Sequence, residues 1–367
     1  MPASRWTTAA DFRRHQPRLM DSLSQIALGA AVSVAVMGRR TAVWKAALLG
    51  AVAGTLPDLD VLIDQGDPIR NMVLHRAESH SLFWLTLFSL PFSAAVARLL
   101  GEWTQFQRWW LALWLALVTH PLLDAMTVYG TQLGLPFTNT PYGVGSVFII
   151  DPLYTVPLLV GGVWALATRG AGLGLKANAT GLVLSTAYLA WGVAAQQMVT
   201  GVARDSLAAN GVTVERLLVT PTAFNTVLWR VVAITGDTYQ EGYYSLLDPA
   251  STGTTPRISF EAYPRNNALA EAASAVDGVQ RLRAFTHGFY AMRRDSERVL
   301  ISDLRMGQEP AYTFTFAVAT GQGATLTPLI PAQQLGSRAD LACALPWLGR
   351  RLRGEALPGL GVFCRQK

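Results

Sequence analysis

The chain has 367 residues, of which 51% are hydrophobic and only 15% charged, and its net charge is +6. That length exceeds what a single hydrophobic core usually fills, and the apolar content is uneven. Leu, Ala, Val, Gly and Trp dominate up to about Thr200, whereas Arg, Asp, Glu, Thr and Tyr recur every few residues beyond it. The basic residues form no dense stripe, so the charge argues against a nucleic-acid partner and is better read as membrane topology.

Residues 1–19 are expected to be an N-terminal extension. Arg5, Arg13, Arg14 and Arg18 form a positively charged flank suited to the cytoplasmic side. No obvious small-residue cleavage site followed by a polar mature start is visible, so a cleaved signal is not expected, and Met20 is an alternative start. Apolar runs of membrane length follow at roughly 22–38, 41–63, 80–100, 109–129, 147–168 and 177–199. They predict a multi-pass α-helical membrane bundle of about five or six helices over residues 20–200. The first run is short and the second is interrupted by Pro57, so either could re-enter without crossing.

Ionisable groups inside such runs are expensive and persist where they face a cavity, a partner or a metal. Ser22 and Gln25 open the first run. Leu56-Pro57-Asp58-Leu59-Asp60 breaks the second, because proline removes a backbone donor, and two carboxylates stand at the break. The loop after it carries His75 and His80, two of only five histidines. Five residues apart, they would sit about 140° apart on one helix. A shared role therefore predicts a helix starting near Ser79, with Ser79 as N-cap, His80 in the first turn and His75 on the loop before it. Arg76 is placed to neutralise a phosphate or pair with an aspartate, and Glu78 reads as a solvated loop residue, although it would suit a general base. In the fourth run His120 and Asp124 are four apart and share a helix face. Asp151 before Pro152 reads as a helix N-cap.

Basic residues set the orientation. Arg39, Arg40, Lys45, Arg98, Arg108, Arg169 and Lys176 cluster in alternate loops, whereas residues 128–147 contain no Lys or Arg. The basic loops are expected in the cytoplasm; the 128–147 loop and everything after residue 200 are expected outside, which conflicts with a cytoplasmic arginine-rich N-terminus unless the first segment dips in without crossing. Residues 201–367 are predicted to form a soluble α+β domain. Val214–Thr220, Thr226–Thr235, Tyr239–Leu247 and Tyr312–Ala319 are its expected strands, and Ala268–Val276 its expected helix. Cys343 and Cys364 are either a disulfide or two free thiols, and their spacing does not choose.

His with carboxylate is the donor mixture that suits zinc and other divalent metals. The ordered phrases Met20 to Gln25, Leu56 to Asp60, His75-Arg76, Ser79-His80-Ser81 and Thr119-His120 with Asp124 resemble the YdjM-like family of inner-membrane metal-dependent hydrolases. Trp229-Arg230-Val231, Glu241-Gly242-Tyr243-Tyr244 and Ser302-Asp303-Leu304-Arg305 look like phrases of its longer members. The resemblance implies a metal held by Asp58, Asp60, His75, His80, His120 and Asp124. It also implies hydrolysis, with Asp58 and His80 most directly engaged. One departure is Gln25, where many members have a histidine; if that histidine is a ligand, this chain holds one metal fewer or holds it differently.

The leading expectation is a bacterial inner-membrane hydrolase using zinc or another divalent metal. Its substrate would be lipid-linked or lipid-like, a phosphoester in preference to an ester, and its soluble domain periplasmic. A proton-relay transporter using the same buried residues is the rival. A third reading makes the helices an anchor for a partner-binding outer domain.

Overall fold

The computed structural model describes residues 22–249, 258–321, 326–337 and 339–366; His15 and the arginine-rich flank lie outside them. Its first half consists of three antiparallel helix pairs. The first is α1 (Ser22–Met37) with α2 (Val43–Thr55). A short helix, α3 (Pro68–Leu74), leads to the second pair, α4 (Leu82–Leu99) with α5 (Phe106–Ala125). The third is α6 (Pro152–Ala167) with α7 (Gly172–Ala209).

Glycines set the closest approaches. A Cβ on Gly50 would lie 2.2 Å from the Gly29 carbonyl oxygen, and one on Gly54 2.6 Å from that of Gln25. The α1 and α2 backbones therefore touch, as small residues allow between membrane helices. Gly181 plays the same part against Pro157 between α6 and α7.

The alternating helices give the bundle two unlike ends. At one end the N-termini of α1, α4 and α6 meet the C-termini of α2 and α5. Gln25 reaches Asp124, His120 reaches the Gly54 carbonyl, and Ser24 bonds Thr155. At the other end Lys45 pairs with Glu102 at 2.8 Å, and Thr41 and Trp109 donate to the same carboxylate. All the candidate ligands are at the first end, and Arg39, Arg40, Lys45, Arg98, Arg169 and Lys176 are at the second.

Two of these helices, Leu82–Leu99 and Gly172–Ala209, are long and apolar enough to cross a bilayer. Leu23–Met37, Val43–Thr55 and Pro152–Ala167 are apolar but shorter. The expected five or six crossings are therefore met only in part. The break at Pro57 ends the second run early, as a 310 turn over Pro57–Leu62. α5 carries Arg108, His120 and Asp124, which lower its hydropathy. The outward faces are nevertheless apolar: α6 exposes Val156, Val160, Val163 and Trp164 while burying Thr155 and Gly161.

The second half is sheet-rich. β1 (Arg216–Pro221), β2 (Leu228–Thr235), β3 (Thr238–Ser245) and β4 (Phe260–Pro264) form an antiparallel meander. A second sheet has the order β10 (Thr327–Gln334), β9 (Thr315–Thr320), β6 (Arg298–Asp303), β5 (Tyr290–Asp295), and β7 (Gly307–Gln308) pairs with β8 (Ala311–Tyr312). α8 (Asn267–Ala272) and α9 (Asp277–Phe285) contribute to the core of the second sheet, and α10 (Leu341–Leu352) and α11 (Leu360–Arg365) pack on the first. The expected 312–319 strand is interrupted, so that Tyr312 ends the small ribbon and β9 starts at Thr315. The expected 268–276 helix stops at Ala272. Cys343 and Cys364 are bonded, with Cα atoms 5.9 Å apart.

The three phrases of the second half converge. Arg230 Nε and Nη2 donate to Glu241 Oε2 at 2.9 and 2.5 Å, and its Nη1 donates to the Leu304 carbonyl at 2.8 Å. Tyr243 OH donates to the other Glu241 oxygen, and Arg305 forks onto Asp303. Burial alone would lower the pKa of Arg230, but the Glu241 carboxylate outweighs it and raises the pKa. These residues form a satisfied buried network that joins the two sheets.

The two halves share packing. α7 runs past the expected boundary at residue 200 without a break. Ile69 and Met72 of α3 and Tyr129 of the 126–151 loop are buried in the same core as Val279, Phe285, Ile301 and Phe316. Asp67 caps α3 and also accepts from the Ala332 amide of β10. The Gln196 amide of α7 donates to the carbonyls of Val144, Gly145 and Val219, which ties loop, helix and sheet together.

Candidate metal centre

Four side chains from three elements converge at the loop end of the bundle. Asp58 comes from the 310 turn after α2, His80 from the turn before α4, and His120 and Asp124 from the last turns of α5. One ligand atom from each lies within 4.8 Å of all the others. His80 Nε2 is 3.1 Å from both His120 Nε2 and Asp124 Oδ2, and His120 Nε2 is 3.3 Å from Asp124 Oδ2. Asp58 Oδ1 is 3.5 Å from His80 Nε2 and 3.4 Å from His120 Nε2.

The other face of each ring fixes its tautomer. His120 Nδ1 is 2.6 Å from the Gly54 carbonyl oxygen, which can only accept, so Nδ1 carries the proton. His80 Nδ1 is 2.8 Å from Ser79 Oγ, and that hydroxyl gives its own proton to Asp60 Oδ2 at 2.6 Å. Ser79 therefore accepts from His80 Nδ1. In their neutral forms both rings then present Nε2 lone pairs to each other and to two carboxylates, an arrangement that a bound cation satisfies.

The spacing passes the same test. Ligands bound at 2.0–2.1 Å around a tetrahedral ion are separated by about 3.3–3.4 Å, and the five distances above run from 3.1 to 3.5 Å. Two carboxylates among the four donors supply the negative charge that a dication seeks, although Asp124 Oδ2 also faces the Arg76 guanidinium. His80, His120 and Asp124 are fully buried, and Asp124 Oδ2 has no hydrogen-bond donor there. Donor separations and donor types therefore fit a divalent metal.

Asp60 and His75 lie outside the group of four. Asp60 Oδ1 bonds His75 Nδ1 at 2.8 Å, and Oδ2 accepts from Ser79 Oγ and from the Arg76 amide. All its bonding directions go to orienting the loop. Asp60 thus holds His80 through Ser79, the outer-shell arrangement that fixes a ligating imidazole.

The expected helix start is also displaced. Ser81, not Ser79, caps α4 by accepting from the Trp84 amide, and His80 ends a 310 turn over Glu78–His80. The reason is that Ser79 is committed to Asp60. Glu78 is exposed, Asp151 caps α6, and the side chain of Ser22 lies outside the described residues.

The role of Gln25 and the backbone of Arg76 could not be read from the motifs. Gln25 Nε2 donates to Asp124 Oδ1 at 3.0 Å, leaving Oδ2 for the centre. Arg76 Nε lies 3.3 Å from Asp124 Oδ2, so the guanidinium pairs with an aspartate, the second of its two expected uses. Arg76 also adopts φ 66, a left-handed conformation costing about 1–3 kcal/mol for a residue with a Cβ. That backbone turns its amide to Asp60 while its side chain reaches Asp124.

Residues 20–199 match the family described as YdjM inner membrane protein. The helical half belongs to the YdjM family. All four converging donors lie inside this YdjM segment, as do Gln25, Asp60, His75 and Arg76. Over 312 residues the chain is 24% identical to the "Uncharacterized protein YfhP" of Bacillus subtilis (strain 168), an alignment covering 82% of this chain and 90% of that protein. It therefore extends well beyond the YdjM segment into the sheet-rich half. No solved structure matches the chain.

Proposed function

We propose that the protein is a membrane-bound, metal-dependent hydrolase of a lipid-like phosphoester or ester. The observation that carries this reading is the four-donor group, two Nε2 atoms and two carboxylate oxygens all within 4.8 Å of one another, with each imidazole tied back through Nδ1. Asp58 Oδ1, His80 Nε2, His120 Nε2 and Asp124 Oδ2 would hold the ion, and zinc is the first candidate for this donor set. A divalent cation there supplies Lewis acidity toward water and toward a phosphoryl or carbonyl oxygen.

The chain's own residues set the access. Asp58 is the one member of the group that is not fully buried, its side chain being 21% exposed. Around it Leu59, Val61, Leu62 and Ile63 are all exposed, so the approach to Asp58 is rimmed by apolar side chains. Such a rim suits an amphiphile whose scissile group sits at a membrane surface.

The site end and the sheet-rich half are assigned to the extracytoplasmic side, with multiple helices crossing the bilayer. Support comes from the basic residues at the opposite end, the absence of Lys and Arg from 128–147, and the Cys343–Cys364 bond, since disulfides persist in oxidising compartments.

Elemental analysis of the purified chain, with a hydrolysis screen over lipid phosphates and lipid esters, tests the reading. About one equivalent of a divalent metal and turnover of one class, both lost in His120→Ala, are expected. A metal-free, stable protein would end it. So would substrate-driven proton movement in vesicles without bond cleavage, which a transporter would give.

A further inference from the structure

We propose that the basic end of the bundle, remote from the metal centre, binds one anionic phospholipid in a composite groove. Two adjoining cavities carry the inference. The first, of about 310 Å3, lies between the α1–α2 and α6–α7 turns and is lined by Arg39, Thr41, Thr168 and Arg169 among others. The second, of about 530 Å3, runs along the outer face of α6 and is lined by apolar side chains, including Leu159, Val163 and Trp164, down to Thr168. Thr168 lines both, so the cationic pocket adjoins an open apolar groove.

The polarity of the two parts specifies the ligand class. No carboxylate lines the cationic pocket. Among the described residues neither Arg39 nor Arg169 forms an ion pair, whereas Lys45 nearby is already neutralised by Glu102. The Arg39 guanidinium leans against the first turn of α7, with Nη2 3.1 Å from where a Cβ on Gly172 would stand. Two uncompensated guanidinium groups at a bilayer surface attract phosphate; each is worth about fivefold in affinity for an anionic headgroup. Val160, Val163 and Trp164 are all more than half exposed. They present to an acyl chain the apolar surface that a free phosphate would leave unused. A phospholipid with its headgroup between Arg39 and Arg169 and one chain along α6 satisfies both cavities at once.

Native mass spectrometry of the detergent-purified full-length chain, offered equimolar phosphatidylglycerol and phosphatidylcholine, reads the first lipid adduct. Phosphatidylglycerol is expected to exceed phosphatidylcholine at least about fivefold. Arg39→Gln with Arg169→Gln should bring that ratio to about one, with bound metal unchanged as evidence that the fold persists. Val163→Trp, which fills the apolar groove, should reduce the first adduct of both lipids about threefold or more. Inorganic phosphate in large excess should leave the adduct in place. An absent headgroup preference, an unchanged ratio in the double variant, or displacement by inorganic phosphate would each overturn the proposal.

Discussion

At the scale of single residues, the centre separates side chains that hold a metal from side chains that hold those ligands. His120→Ala or Asp124→Asn removes a donor from a buried group of four, and bound metal is expected to fall from about one equivalent to below a tenth. Asp60→Asn and Ser79→Ala remove only the chain that orients His80. They should weaken metal affinity about 10–100-fold while leaving full stoichiometry at saturating metal. Competition with a chromophoric chelator separates the two classes, and a fall to below a tenth of an equivalent in Asp60→Asn would make Asp60 a ligand after all. The residue types and most positions of this group were legible in the sequence, because ionisable groups stand out in apolar runs. Their sorting was not. Asp58 and Asp60 are two residues apart in one phrase, and only the turn after α2 decides that one faces the centre and the other faces Ser79. Arg76 was legible as a charge, but its left-handed backbone was not, since nothing in Leu74-His75-Arg76-Ala77 announces it.

At the scale of elements, the centre depends on how closely α2 approaches its neighbours. The Gly54 carbonyl fixes the His120 tautomer, and Gly54 is held by backbone contact with α1. Gly50→Ala drives a methyl to within 2.2 Å of the Gly29 oxygen, and such overpacking typically costs about 1–3 kcal/mol. It should also weaken metal binding, because α2 must shift. Gly162→Ala is the contrast, since nothing lies within 4 Å of its Cβ position. There the gain in helix propensity should raise stability by up to about 1 kcal/mol. Thermal unfolding in one detergent compares the two, and equal effects would show that the glycine contact is not what holds the pair. The apolar runs located the long helices because their period and length are strong signals. The same signal missed β5 and β6, whose Arg293-Arg294-Asp295-Ser296-Glu297 reads as a solvated loop. It is a hairpin, with Ser296 at φ 55 in its turn, and strand pairing with β9 supplies what the local sequence lacks.

At the scale of the whole molecule, the helical and sheet-rich halves share a hydrophobic core, and a single folding unit is the expected consequence. Ile69, Met72 and Tyr129 belong to the helical half by sequence but are buried in the core of the second sheet. A fragment of residues 210–367 exposes the cavity they fill, at about 1.5–3 kcal/mol for each large side chain lost. That loss is large against the 5–15 kcal/mol typical of a domain. The fragment should therefore show broad, non-cooperative unfolding by near-ultraviolet circular dichroism, whereas the full chain unfolds sharply. A sharp transition with native-like spectra would favour the anchor reading. Because the halves are rigidly tied by Gln196 and Asp67, the side on which the sheets lie is also the side on which the metal centre opens, so one topology measurement places both. Cys343 and Cys364 report it without a fusion. In intact cells an impermeant maleimide should label neither thiol until an impermeant reductant is added, and both afterwards. Labelling only after the cells are lysed would put the sheets and the centre in the cytoplasm, and would require the basic end to face outward against the usual charge bias.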